Sequence, residues 1–277
     1  NGGSGYTSVP TVTIDAPPTD WGVQATAVAE MKNGGGIISL SDLEDYESKW
    51  RKPIMGDYRG YKLVSMPPPS SGGVLLVQML NMLEPYDLGK LGVGSSEVIH
   101  LMIEAERRAY ADRAEHLGDS DFYDVPIETL ISKDYARERF LDFDPNKASV
   151  SADIFAGVAA KEGLETTHAS VIDAMGNAVA YTTTLNLSYG SKIVVRGACF
   201  LLNNEMDDFS AKENSPNAFG LLGREANAIE PGKRMLSSMT PTIILKNEKP
   251  LLVTGSPGGS TITVSYTHLR AHETVLD

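Results

Sequence analysis

Apolar positions are unevenly spaced along the chain, and their period separates a helical first part from a β-type second part. Residues 74 to 83 (VLLVQMLNML) are almost continuously apolar, rich in Leu and Met, and closed by Glu84-Pro85. Such a run is too long for an ordinary strand and predicts a buried helix, opened by Ser70-Ser71-Gly72-Gly73. A second helix is predicted from an N-cap at Ser95 or Ser96. It carries Val98, Leu101, Met102, Ala105 and Ala109 on one face and stops at Gly118. Shorter helices are expected at residues 41 to 48, around residues 132 to 140, and from about Val23 to the glycine turn at residues 33 to 36. Residues 1 to 20 read as connectors. An extended piece around residues 58 to 66 alternates until Pro67-Pro68-Pro69 forbids regular structure.

From Thr166 the period becomes two. Residues 166 to 173 and 177 to 186 flank Ala174-Met175-Gly176, which predicts a hairpin with glycine at a left-handed position. If Asp173 faces Asn177, counting outward pairs Val171 with Val179, His168 with Thr182, and Thr166 with Thr184. Facing residues share a side of the sheet, so two threonine hydroxyls sit opposite one another, with Asn186 two residues further on the same face. Further strands are predicted at residues 192 to 202 and as a hairpin of residues 241 to 245 with 249 to 254.

Composition narrows the class without naming a function. The 277 residues allow one large domain or two small ones, 42% hydrophobic and 22% charged residues are ordinary for a folded protein, and no apolar run approaches the ~18 needed to span a bilayer. A net charge of −12 disfavours nucleic acid or an anionic lipid surface and leaves small or peptide-like partners. The charge is lopsided: residues 1 to 165 hold 15 basic and 26 acidic side chains, residues 166 to 277 hold 9 and 10. A boundary near residue 165 is implied. The single cysteine, Cys199, excludes a disulfide framework and a Cys-based metal site, and its apolar setting predicts a buried structural thiol. The start at Asn1, with no charged and apolar leader pattern, reads as a fragment or a processed chain.

Four constellations can carry chemistry. The Thr166/Thr184 pair is either a stabilising cross-strand pair or a reactive hydroxyl with its partner. Residues 203 to 208 (NNEMDD) place three carboxylates and two amides after an apolar segment, which suits either an ammonium group or a solvated turn. Ser237-Ser238 can donate to a carboxylate or cap a turn. Gly255-Ser256-Pro257-Gly258-Gly259-Ser260 forms either a nest for developing negative charge or a plain tight turn, and matches neither a Walker loop nor a dinucleotide fingerprint. His268 and His272 lack the Glu and the third ligand of a zinc motif, so no metal is assigned.

In order along the chain these pieces resemble the γ-glutamyltransferase family, the glutathione hydrolases, within the N-terminal nucleophile hydrolases. The resemblance covers about residues 30 to 262. It is carried by Gly56-Asp57-Tyr58-Arg59-Gly60-Tyr61, Met66-Pro67-Pro68-Pro69-Ser70-Ser71-Gly72-Gly73, Glu104-Ala105-Glu106, Tyr110-Ala111-Asp112-Arg113 and Thr166-Thr167-His168. Leu201-Leu202-Asn203-Asn204, Met206-Asp207-Asp208-Phe209-Ser210, Ser237-Ser238-Met239 and Thr254-Gly255-Ser256-Pro257-Gly258-Gly259-Ser260 complete it.

The resemblance implies an α+β fold, a four-layer αββα sandwich, incomplete in this chain. It divides the sequence into residues 1 to 165, the mostly helical C-terminal part of a large subunit, and residues 166 to 263, the β-rich catalytic start of a small subunit. Residues 264 to 277 follow no family pattern and read as an atypical tail, and Phe219 stands where many bacterial members carry a lid tyrosine. An arginine that the family uses on the substrate α-carboxylate falls before residue 1.

The implied activity is γ-glutamyl transfer from glutathione and other γ-glutamyl compounds to water or to amino-acid and peptide acceptors, after autocatalytic cleavage between Glu165 and Thr166. Thr166 would be the nucleophile, its own α-amine the base, Thr184 its orienting partner, and Gly258 and Gly259 the oxyanion donors. Asn186, Glu205 and Asp208 would hold the α-ammonium, and Ser237 and Ser238 the α-carboxylate. No cofactor is implied, the two subunits of one precursor are the expected partners, and the location is periplasmic or extracellular. A cephalosporin acylase or poly-γ-glutamate depolymerase of the same fold, and a catalytically silent γ-glutamyl-binding module, are the alternatives.

Overall fold

Ten consecutive residues without a charge, framed by close-packing glycines, place the helix at residues 72 to 83 at the centre of the molecule. In the computed structural model, which describes residues 12–15, 26–29, 39–154, 166–195, 197–210, 217 and 221–259, every residue of this helix, α2 (Gly72–Leu83), is buried. One side rests on a four-stranded antiparallel sheet of β3 (Ile54–Tyr58), β4 (Tyr61–Ser65), β7 (Thr242–Lys246) and β8 (Lys249–Thr254), in that order. Leu76 and Leu80 pack on Tyr58 and Leu63, and Gly56 leaves room for Val77 where a Cβ would come within 2.6 Å of the valine. On its other side α2 meets α4 (Ser96–His116) and α6 (Lys133–Arg139), with α3 (Leu88–Leu91) and α5 (Ile127–Leu130) closing the cluster. The apolar stripe Val98, Leu101, Met102, Ala105 and Ala109 of α4 is buried in this core, as its spacing predicts. Ser95 caps α4 by accepting from the Val98 N–H at 3.2 Å.

The hairpin of β5 (Thr166–Ile172) and β6 (Ala178–Thr184) packs against β7 and β8 and supplies a second β layer. Its register is the one predicted: Thr166 faces Thr184, His168 faces Thr182 and Val171 faces Val179. Asp173 fixes the turn, its Oδ1 accepting from the N–H groups of Met175 and Asn177 at 2.8 Å, and Gly176 takes φ +85°. The helices contact the sheet at β3 and β4 and the hairpin contacts it at β7 and β8. The outward face of the hairpin leaves Val171, Val179 and Tyr181 more than half exposed, and no helix among the described residues covers it.

Several expectations are corrected. Residues 12 to 15 and 26 to 29 are not a connector and a helix but a strand pair, β1 (Val12–Asp15) with β2 (Thr26–Ala29), in keeping with their β-branched Val, Ile and Thr content. The helix expected at residues 41 to 48 is the shorter α1 (Leu40–Glu44), held by a Ser39/Asp42 capping box. The single extended piece around residues 58 to 66 is a hairpin, because Arg59 and Gly60 both adopt positive φ, 47° and 83°, and turn the chain after Tyr58. Residues 192 to 202 form no strand beyond a Val194–Leu201 bridge. Cys199 has φ +57° in the turn between them and is exposed, so it is not a buried structural thiol. Glu165, Phe219, the loop before Thr166, the glycine turn at residues 33 to 36, His268, His272 and residues 264 to 277 lie outside the described residues.

Candidate active site

Strand pairing puts Thr166 and Thr184 opposite one another at the open end of the hairpin, both half-buried. Beyond Thr184 the chain leaves the strand: Asn186 takes φ +73°, is buried, and donates its backbone N–H to Thr184 Oγ1 at 3.0 Å. Its Nδ2 donates to the Asn204 carbonyl at 3.2 Å, while Asn204 Oδ1 accepts the Leu187 N–H at 3.0 Å. Asn204 thereby ties the threonine pair to the one-turn 3₁₀ helix Glu205–Asp208.

This turn concentrates negative charge where water is scarce. Burial, reinforced by the neighbouring Asp208, pushes the Glu205 carboxyl up to about 7. Burial also pushes Asp208 up to about 6; Arg113 pulls against it and Asp207 adds to it. Two carboxyls that ionise near neutrality side by side can pair with a cationic group. Asn217 Nδ2 donates to Asp208 Oδ1 at 3.3 Å, and Asn227 Nδ2 holds the Asp208 carbonyl at 2.7 Å.

Arg113, buried near the end of α4, joins this turn to the paired serines. Its Nε donates to Ser71 Oγ at 3.1 Å and its Nη2 to Ser238 Oγ at 3.3 Å, and it attracts Asp208. Ser71 in turn donates to the Ser237 carbonyl at 3.0 Å, and the Met239 N–H donates to Ser237 Oγ at 3.1 Å. Ser71 therefore stands at the N-cap of α2 without a side-chain capping bond, its hydroxyl being engaged by Arg113 and Ser237. Gly72 must be glycine here, because a Cβ would overlap Thr240 Oγ1 and the Met239 carbonyl.

The glycine loop approaches from β8. A Cβ on Gly255 would overlap the His168 ring, so this glycine lets the loop cross the hairpin two residues from Thr166 on the same face. Gly258 and Gly259 follow at φ +136° and +54°, conformations that suit glycine. His168 bonds Thr182 Oγ1 at 2.7 Å and Ser170 Oγ at 2.8 Å, and burial lowers its basicity.

Hydrogen bonds and strand pairing thus connect Thr166, Thr184 and Asn186 to the Glu205–Asp208 turn, Arg113 bonds Ser238 and attracts Asp208, and the strand leading to Gly258 and Gly259 lies against the same hairpin. Arg113, Ser71 and Asn204 received no role from the sequence. The signal for Arg113 was present: it lies four residues beyond Ala109, where the apolar stripe of α4 calls for another buried side chain. Among the described residues no group of His, Cys, Asp and Glu is arranged to hold a metal ion, and no helix is long and apolar enough to cross a membrane.

Comparison with known proteins gives three findings. A family model described as Gamma-glutamyltranspeptidase matches residues 23–275. The chain is 54% identical over 234 residues to a glutathione hydrolase proenzyme of Escherichia coli (strain K12), covering 84% of this chain and 40% of that protein, and 41% identical over 228 residues to the Acylase ACY 1 proenzyme of Pseudomonas sp. (strain SE83), covering 82% and 38%. The chain spans about two fifths of the length of the curated relatives it matches. Among solved structures it superposes on a cephalosporin acylase from Bacillus halodurans with TM-score 0.67 and 24% identity, over 84% of this chain and 39% of that one. That likeness gives the fold, an α+β architecture of which this chain carries a part.

Proposed function

Because the chain belongs to the γ-glutamyltranspeptidase family, we propose that the protein moves γ-glutamyl groups from glutathione and related γ-glutamyl compounds to water or to amino-acid and peptide acceptors, through an acyl-enzyme on Thr166. Maturation comes first. Thr166 Oγ attacks the Glu165 carbonyl carbon, the C–N bond breaks as the ester forms, and the hydroxyl proton passes to the departing amine. Water then hydrolyses the ester, leaving a Glu165 carboxylate and a Thr166 with a free α-amine.

That amine titrates at about 7.7–8.0 and takes the Oγ proton in each later turnover, so no histidine is needed as base. Thr184, across the strand pair, orients the nucleophile. Glu205 and Asp208, with Asn186, receive the α-ammonium of the donor, and Ser237 and Ser238 its α-carboxylate. Oγ attacks the γ-carbonyl, the N–H groups of Gly258 and Gly259 hold the oxyanion, and the amide nitrogen leaves with the proton held by the α-amine. From glutathione the leaving group is Cys-Gly. Water or an acceptor amine then takes the acyl group. Location outside the cytoplasm, periplasmic or secreted, is part of the same reading.

The observation that supports this reading best is the Thr166–Thr184 register, tied through Asn186 and Asn204 to the half-buried Glu205 and Asp208 carboxyls. Intact-mass and amino-terminal analysis of the full-length gene product tests it. We expect a new amino terminus at Thr166, release of p-nitroaniline from γ-glutamyl-p-nitroanilide, and a single uncleaved chain for Thr166→Ala. A wild-type product that stays uncleaved would falsify the proposal. The 41% identity to an acylase proenzyme supports a second reading. A glutaryl anilide keeps the acyl chain and lacks the α-ammonium, so an acylase prefers it, whereas the Glu205/Asp208 pair favours the γ-glutamyl donor. A silent binding module would bind L-glutamate and form no acyl-enzyme.

A further inference from the structure

We propose that Arg113 is a positioning residue for this site: it aims the Ser238 hydroxyl at the substrate α-carboxylate and sets a buried cation toward the Asp208 carboxylate that takes the α-ammonium. The inference rests on the functional reading above and adds a residue to it.

Hydrogen-bond direction carries the first half. A guanidinium only donates, so Ser71 Oγ and Ser238 Oγ are acceptors toward Arg113. Ser71 spends its own proton on the Ser237 carbonyl at 3.0 Å. Ser238 keeps its proton to donate, and a donor polarised by a buried cation is a stronger partner for a carboxylate. Ser237 is prepared in the same way, since its Oγ accepts from the Met239 N–H at 3.1 Å. Both serine hydroxyls thus accept from the protein and donate to the ligand.

Charge carries the second half. The groups facing Asp208 are Arg113 from α4, Asp207 from its own turn and the Asn217 amide on Oδ1; Asp208 in turn acts on Glu205, and Tyr110 lies near Arg113. Arg113 is the one cation among them. Without it, burial and Asp207 act unopposed, and Asp208 holds its proton to a higher pH. Arg113 also belongs to the segment before the proposed cut, whereas Asp208, Ser237 and Ser238 follow it, so one side chain assembles a pocket from both halves.

The test uses the full-length gene product with Arg113→Met and Arg113→Lys, each checked for a Thr166 amino terminus, and reads KM and kcat for γ-glutamyl-p-nitroanilide and the pH dependence of inhibition by L-glutamate. Inhibition by a product reports the pocket without involving the Thr166 base. For R113M we expect KM to rise at least tenfold with a much smaller change in kcat, and the pH at which L-glutamate binding tightens to move up by about one unit. R113K keeps the charge and loses the fork: KM rises several-fold and the pH of tightening stays in place. A processed R113M with wild-type KM and an unmoved L-glutamate profile overturns the proposal. If R113M fails to mature, R113K decides: a several-fold KM increase with an unmoved profile supports the proposal, and wild-type KM overturns it. Failure of the wild-type protein to process or to turn over the anilide strikes the functional reading instead.

Discussion

Asp208 and Glu205 make the site pH-dependent in a direction that can be worked out. In the proposed reaction both carboxyls must be ionised to receive an ammonium group, and burial has moved them to about 6 and about 7. The proposed Thr166 amine would have to be neutral to act as base, which happens above about 7.7–8.0. All three lose protons as the pH rises, so kcat/KM should climb from pH 6 to pH 8 more steeply than a single ionisation allows. Asp208→Asn should flatten that limb and raise KM more than tenfold, about the loss of one charge-assisted contact. A rate profile measured at fixed ionic strength checks both.

Glu106 offers a stability test apart from the chemistry. Burial pushes its carboxyl up to about 7, and its Oε1 has no hydrogen-bond partner among the described residues. The folded protein keeps a proton that the unfolded chain releases near 4.5, so stability falls as pH rises from 4.5 to 7 and stays reduced above. Glu106→Gln should equal the wild type near pH 4.5 and exceed it at pH 8 by up to about 3 kcal/mol in urea unfolding of the full-length product. At this scale the sequence was readable where chemistry repeats a pattern, as in Thr166 facing Thr184, and silent where a residue works from behind others. Arg113 falls on the buried stripe of α4, so its burial was legible, but only its partners reveal what it holds in place. Cys199 misled because apolar neighbours say nothing about a left-handed backbone.

Among the elements, α2, α4, the β5–β6 hairpin and the β7–β8 hairpin follow from period, caps and turn residues. The β3–β4 hairpin does not, because Arg59 is an unusual choice for a positive-φ turn and its flanks read as one alternating run. The close start of α2 is equally hidden: glycines before an apolar run suggest a flexible entry, whereas Gly72 and Gly73 are there because the 239–240 segment and the Met66 carbonyl crowd them. Gly72→Ala should destabilise the protein by about 1–3 kcal/mol through overpacking and displace Ser71 enough to raise KM. A thermal melt paired with anilide kinetics separates this from a purely structural loss, which would leave the KM of the surviving folded enzyme unchanged.

At the scale of the whole molecule, the charge step near residue 165 and the change of period at Thr166 divide the sequence in two, and the fold does not follow that division. β4, from the first part, is hydrogen-bonded along its length to β7, from the second, with Lys62 opposite Leu245 and Ser65 opposite Thr242. The Ser65 and Thr242 hydroxyls add a buried bond at 2.9 Å, and Gly118 at the end of α4 lies against the Ala226 carbonyl. A processed protein should therefore elute as one species in native size-exclusion and resolve into two chains only in denaturant. That distribution was invisible to pattern reading, because nothing local in a strand says which partner it will take.

The shared sheet also bears on what severing the backbone can change. If the proposed cut occurs, the ladder between β4 and β7 ties together the segments on either side of it, so scission would separate two chains that one sheet still joins. The proposed amino terminus would then arise on a strand already paired, with Thr166 facing Thr184.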